Sequence, residues 1–205
     1  MSNAKKINVR LLTILAVFTA IEIIFCFTPL GSLPLGPGIV ATLAHIPAII
    51  IAIVLGKKPA LYMGGILGIC SLVWWSTMGI AYPAAFAFTP FAQYGNLFSL
   101  IICIVPRMIF PVIAAWIFEK LRDKIKTIPA AALAAVISSL IHSILVLSLI
   151  YICFVGNSKV SEMLGDDYIK FLIAWGGVNA VAEIIVAGVV SAATALPLIK
   201  ITKRV

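Results

Sequence analysis

Charge is scarce in this sequence, and acid is scarcer still. Charged residues make up 11% of its 205 residues, with seven Asp and Glu against fifteen Lys and Arg. A soluble domain carries roughly a quarter, so a soluble globular class is excluded. The chain has no GxxxxGK[ST] phosphate loop and no HExxH, GxSxG or paired-aspartate signature. Nucleotide hydrolysis and the common hydrolytic chemistries therefore drop out, and no enzyme is expected. The four cysteines (Cys26, Cys70, Cys103 and Cys153) lie in apolar runs without CxxC spacing, and the two histidines, His45 and His142, are far apart. Neither set carries a metal, disulfide or cofactor signal. Within the apolar runs the acids reduce to Glu22 and Glu183, too few for a proton- or sodium-coupling chain.

What is abundant is apolar sequence, 63% of the chain with a mean hydropathy of +1.19. Runs of roughly 20 such residues cross a bilayer. Six are read here: Arg10–Leu30, Ile39–Leu55, Pro59–Met78, Leu97–Phe118, Ile128–Val155 and Ile169–Ile199. None alternates with strand period, which argues against a barrel. The expected fold is an all-α integral membrane protein, one six-helix bundle forming a single membrane domain over residues 1–205. No cleavable signal peptide is apparent, so the first run is expected to be the first span.

The formal charge of +8 is arranged for topology rather than for nucleic acid. Lys5, Lys6, Arg10, Lys57, Lys58, Lys120, Arg122, Lys124, Lys126, Lys200, Lys203 and Arg204 flank alternate ends of the runs. The opposite connections hold Lys159 and Lys170, offset by Glu162, Asp166 and Asp167. Positive residues mark the cytoplasmic side, which predicts both termini inside the cell. The outer connections differ in kind. Pro29–Gly38 is a Gly/Pro-rich turn, and Gly79–Asn96 is long, aromatic and sparsely polar. Such composition predicts segments folded back over a cavity.

Arg107 interrupts the fourth run. A cation there costs at least ~2.5–3.5 kcal/mol on insertion scales, so it must face protein, water or an anionic ligand. It lies roughly 15 Å below the outer end of its span by helical rise. Asn179 has a similar depth, with Glu183 one turn on along the same face. Glu22, His45 and His142 reach mid-depth or above. Two readings stand side by side: Arg107 paired with Glu183 or Glu22 as structural glue, or Arg107 holding a ligand. Asn179, His45 and His142 are likewise either bridging groups or ligand contacts. Trp74 and Trp75 fit an interface belt or a pocket wall. Ala16 and Ala20, and Gly64 and Gly68, stand four apart, which suits close helix packing within the chain or a docking groove for a partner.

These residues resemble the substrate-binding S components of energy-coupling factor (ECF) vitamin transporters over nearly the whole chain. The likeness rests on the six runs and the AxxxA of Ala16–Ala20. The stretch LPLGPGIVATLAHIPAIIIAIVLGKKPALYMGGILGICSL, the FTPF of Phe88–Phe91 and the VPR of Val105–Arg107 look most like pantothenate-type members. The resemblance implies a plasma-membrane subunit without cofactor, which binds a vitamin in an outward pocket. It also implies docking through Ala16 and Ala20 on a transmembrane coupling subunit driven by two ATPases. Alternating access would come from toppling of the whole S component. For pantothenate, Arg107 would hold the carboxylate and Asn179, His45 or His142 the amide and hydroxyls. Trp74, Trp75 or Tyr82 would pack the methyl groups, with Asn96 and Glu183 completing the expected site. Riboflavin, folate or biotin are the alternative vitamins. A stand-alone secondary transporter or channel, and an assembly protein without a ligand, are the other classes.

Overall fold

A computed structural model describes residues 9–36, 39–165 and 167–202. Among the described residues, five helices are long and apolar enough to cross a membrane: α1 (Val9–Phe27), α3 (Lys57–Ser76), α4 (Leu97–Leu121), α5 (Thr127–Phe154) and most of α8 (Gly177–Thr202). The first, third, fourth and fifth apolar runs thus become helices within three residues of the expected ends.

The second run does not form one helix. Its first residues, Ile39–Thr42, form strand β2, which pairs antiparallel with β1 (Ser32–Gly36). The helix α2 begins only at Ile46 and ends at Leu55, with proline in its first turn. Ten residues rise about 15 Å, half a hydrocarbon thickness. Every residue from Ile46 to Val54 is buried, so α2 is a central core helix, apolar all round because protein surrounds it. Apolar content alone made this segment look like a lipid-facing span. The sixth run is also divided, into α7 (Tyr168–Trp175) and α8, with a short α6 (Ser158–Leu164) before them. Asn157 and Asp167 cap the starts of α6 and α7 by accepting from backbone N–H groups.

The main core joins α2, α3, α4, α5 and α8 through Ile49, Met63, Phe110, Phe118, Ala134 and Ala187. A second cluster lies at the end carrying the long loop, where Phe86, Phe154, Val160 and Phe171 pack together. There the Gly79–Asn96 segment folds back onto the helices as its composition suggested. Ser99 Oγ donates to Phe86 O at 2.6 Å, and the Ser76 and Thr89 hydroxyls meet at 2.7 Å. At the opposite end Lys57 pairs with Glu119 at 2.9 Å, and Arg10 donates to Ile201 O.

The two small-residue pairs have different uses. Gly64 and Gly68 are buried at the α3–α4 contact, where a Cβ on Gly64 would strike Arg107 O and come 2.8 Å from Met108 Cα. A Cβ on Gly68 would lie 3.2 Å from Ile104 Cα. Ala16 and Ala20 are exposed on α1, whose one buried residue is Glu22. The four cysteines are free thiols.

Gly64→Val should therefore lower the thermal midpoint in detergent, at a cost of about 1–3 kcal/mol from overpacking against backbone. Gly65→Ala, whose Cβ would meet nothing within 4 Å, should leave the midpoint unchanged or raise it. Equal midpoints for the two variants would show that the α3–α4 approach tolerates separation.

Candidate functional site

Arg107 projects from the middle of α4 and is half-buried. Its Nη1 donates to the backbone oxygen of Ile102 at 2.7 Å, and its guanidinium carbon lies 4.9 Å from the Phe88 ring centre. The cation thus rests against an aromatic face brought in by the folded-back loop. The loop continues a row of rings: Trp75 stacks on Phe88 at 4.8 Å, Trp74 meets Trp75 edge-on at 5.0 Å, and Tyr82 stacks on Trp74 at 6.0 Å. Trp74 and Trp75 are half-buried, whereas Tyr82 is 58% exposed at the rim.

One turn along α4 from Arg107, Phe110 stands between the two imidazoles. His45, the residue preceding α2, lies 6.2 Å away edge-on, and His142 of α5 lies 4.6 Å away. His45 is buried. The Nε2 atoms of both histidines are buried with no hydrogen-bond partner among the described residues. Buried polar atoms are normally satisfied, and Glu22, Ser139 and Ser191 also carry such unpartnered atoms among the described residues.

Glu183 has a different partner from the one anticipated. Its Oε1 accepts from Thr42 N at 3.0 Å and also from the Thr42 hydroxyl. Neither Glu183 nor Glu22 forms an ion pair with Arg107 among the described residues. Glu183 is still near enough to act on Arg107 electrostatically, without direct contact. Glu183 fastens the end of the β1–β2 hairpin to α8, three residues before His45. Glu22 lies wholly buried between α1 and its neighbours, and neither of its oxygens has a hydrogen-bond partner among the described residues.

Asn179 is exposed one turn from Glu183 on α8 and is engaged in an interaction there. Asn96 caps α4, accepting from Phe98 N at 2.8 Å while its own N–H donates to Ser99 Oγ at 3.1 Å. The fold therefore brings Arg107, His45 and His142 to adjoining elements and carries Trp74, Trp75 and Tyr82 along one aromatic row. Thr42, Phe88 and Phe110 were missed in the sequence. Phe110 had a signal, three residues from Arg107 on one helix face; Thr42 had none. Two cavities lie elsewhere: a groove of about 570 Å³ beside Leu15, Lys57, Lys58 and Tyr62, and one of about 280 Å³ beside Tyr82, Phe86 and Met163. Neither is lined by Arg107.

The arrangement offers a fixed cation, two imidazoles and aromatic walls, which suits a small anion bearing both polar and apolar groups. A family model described as ECF transporter, substrate-specific component, matches residues 10–194. The pantothenic acid transporter PanT of Lactococcus lactis subsp. cremoris (strain MG1363) is 27% identical over 201 residues, covering 92% of this chain and 93% of PanT.

Because Glu183 holds Thr42, Glu183→Ala should speed amide hydrogen exchange at Thr42 and along the hairpin. A hydrogen bond to a charged group is worth about 1.5–3 kcal/mol, hence on the order of 10–100-fold in local protection. Unchanged exchange at Thr42 would show that the hairpin is held by other contacts.

Proposed function

The chain belongs to the substrate-specific components of ECF transporters, and from that premise we propose that it captures pantothenate and passes it to a coupling subunit driven by two ATPases. It is a multi-pass plasma-membrane protein of vitamin uptake, a binding subunit rather than an enzyme. The observation that carries the substrate reading is Arg107, a half-buried cation inside an apolar helix with no carboxylate paired to it among the described residues. The likeness to PanT supports the same substrate.

In this reading the guanidinium binds the pantothenate carboxylate in a charge-assisted pair. The Nε2 atoms of His45 and His142, with Asn179, meet the hydroxyls and amide. Trp74, Trp75 and Tyr82 pack the geminal methyls. Asn96 and Glu183 contribute by holding α4 and the hairpin in place. The hairpin and α2 together make the second of six crossings of a single membrane domain, and both termini are cytoplasmic. Lys57 and Lys58, with Lys120, Arg122, Lys124, Lys126 and Lys200, support that orientation, since they sit at helix ends and links on one side. The exposed Ala16 and Ala20 form the docking face for the coupling subunit.

Calorimetric titration of purified protein with pantothenate should show tight binding, weakened by Arg107→Ala on the order of 100-fold, the usual scale for removing one partner of a buried charge pair. Binding unaffected by that change would remove Arg107 from the site. No binding by folded wild type would reject pantothenate in favour of another vitamin. Ala16→Trp or Ala20→Trp should abolish uptake by the assembled transporter while leaving pantothenate affinity intact. Equal loss of affinity would overturn the separation of docking face from pocket.

A further inference from the structure

Helix α4 contains two prolines, Pro106 and Pro111, flanking Arg107. Proline inside a helix lacks the N–H that would bond the carbonyl four residues back, and its ring pushes that carbonyl outward. For Pro106 the freed carbonyl is that of Ile102. This is the oxygen to which Arg107 Nη1 donates at 2.7 Å. For Pro111 the freed carbonyl is that of Arg107 itself, and it is the oxygen that abuts Gly64 of α3. In a membrane-embedded helix such carbonyls need other partners. Here one is taken up by the cation, while the other lies against the glycine that lets α3 approach.

We infer that Pro106 is a positioning residue for Arg107: by freeing the Ile102 carbonyl it creates a backbone acceptor that holds the guanidinium in place before substrate arrives. A free arginine side chain has many rotamers, and ordering it on binding would weaken affinity. Tethering one N–H to Ile102 O and laying the group against Phe88 removes much of that freedom in advance. The remaining N–H donors face an anion with fixed geometry. An alanine at 106 would instead return the Ile102 carbonyl to the helix ladder and leave Arg107 to compete for it.

This inference rests on Arg107 being the anion-binding group, so the test has two independent arms. The first needs no ligand. In protein with ¹⁵N-labelled arginine, which has four such residues, the Arg107 Nη signals should show slow rotation in wild type and fast averaging in Pro106→Ala. Alanine is the best helix former, so the thermal midpoint of that variant should hold or rise. The second arm is pantothenate titration, where Pro106→Ala should weaken binding about tenfold, the equivalent of one preorganised hydrogen bond of about 1.4 kcal/mol. In the Arg107→Ala background, Pro106→Ala should change affinity no further. Signals that stay slow in Pro106→Ala would overturn the positioning role, as would averaged signals with unaltered affinity. If wild type fails to bind pantothenate, the substrate reading falls, while the nitrogen signals still decide whether Pro106 orders Arg107.

Discussion

The structure depends on keeping one guanidinium charged inside an apolar bundle. Arg107 is half-buried, and the carboxylates of Glu22 and Glu183 do not form ion pairs with it among the described residues. It is stabilised instead by the Ile102 carbonyl and the face of Phe88. A backbone oxygen and a ring quadrupole carry partial charges, so they steady the cation without neutralising it. A full carboxylate in that place would form a stronger pair and would have to be displaced by any anionic ligand. Partial compensation leaves the cation able to attract a further anion.

Around that constraint the other elements have definable tasks. Gly64 and Gly68 allow α3 to lie against α4 at the level of Arg107, and the same helix ends in Trp74 and Trp75, which support Phe88 from behind. The aromatic loop is anchored to the bundle by the Ser76–Thr89 and Ser99–Phe86 hydrogen bonds, and it sets Phe88 against the cation. On the other side, α2 is buried on all faces and is preceded by His45, close to the Phe110 ring. Glu183, fastening Thr42, fixes the chain just before that histidine. The surface left over, α1 with Ala16 and Ala20, belongs to the least buried of the long helices and is separate from these contacts.

The legible part of the sequence was whatever depends on length and composition. Apolar runs flanked by lysine and arginine gave α1, α3, α4 and α5 nearly to their ends, since a hydrocarbon layer sets the length of a helix that crosses it. A lone arginine in such a run drew attention to α4, because its desolvation is too costly to be incidental. The GxxxG and AxxxA pairs were visible as close-packing signals, but their spacing could not say which faced inward. Here Gly64 and Gly68 meet α4, and Ala16 and Ala20 stay exposed.

Only the tertiary structure decided that Ile39–Thr42 is a strand, that α2 is a short core helix, and that α7 and α8 are separate helices. It also decided that Glu183 holds Thr42 rather than Arg107. The physical reason is common to all of these. When every face of a segment is apolar, lipid contact and protein contact leave the same pattern, and hydrophobic periodicity no longer distinguishes inside from outside. Sequence by itself determined that this chain lives in a membrane and carries a cation there. Packing between segments distant in sequence determined which groups surround the cation, and so what it is free to bind.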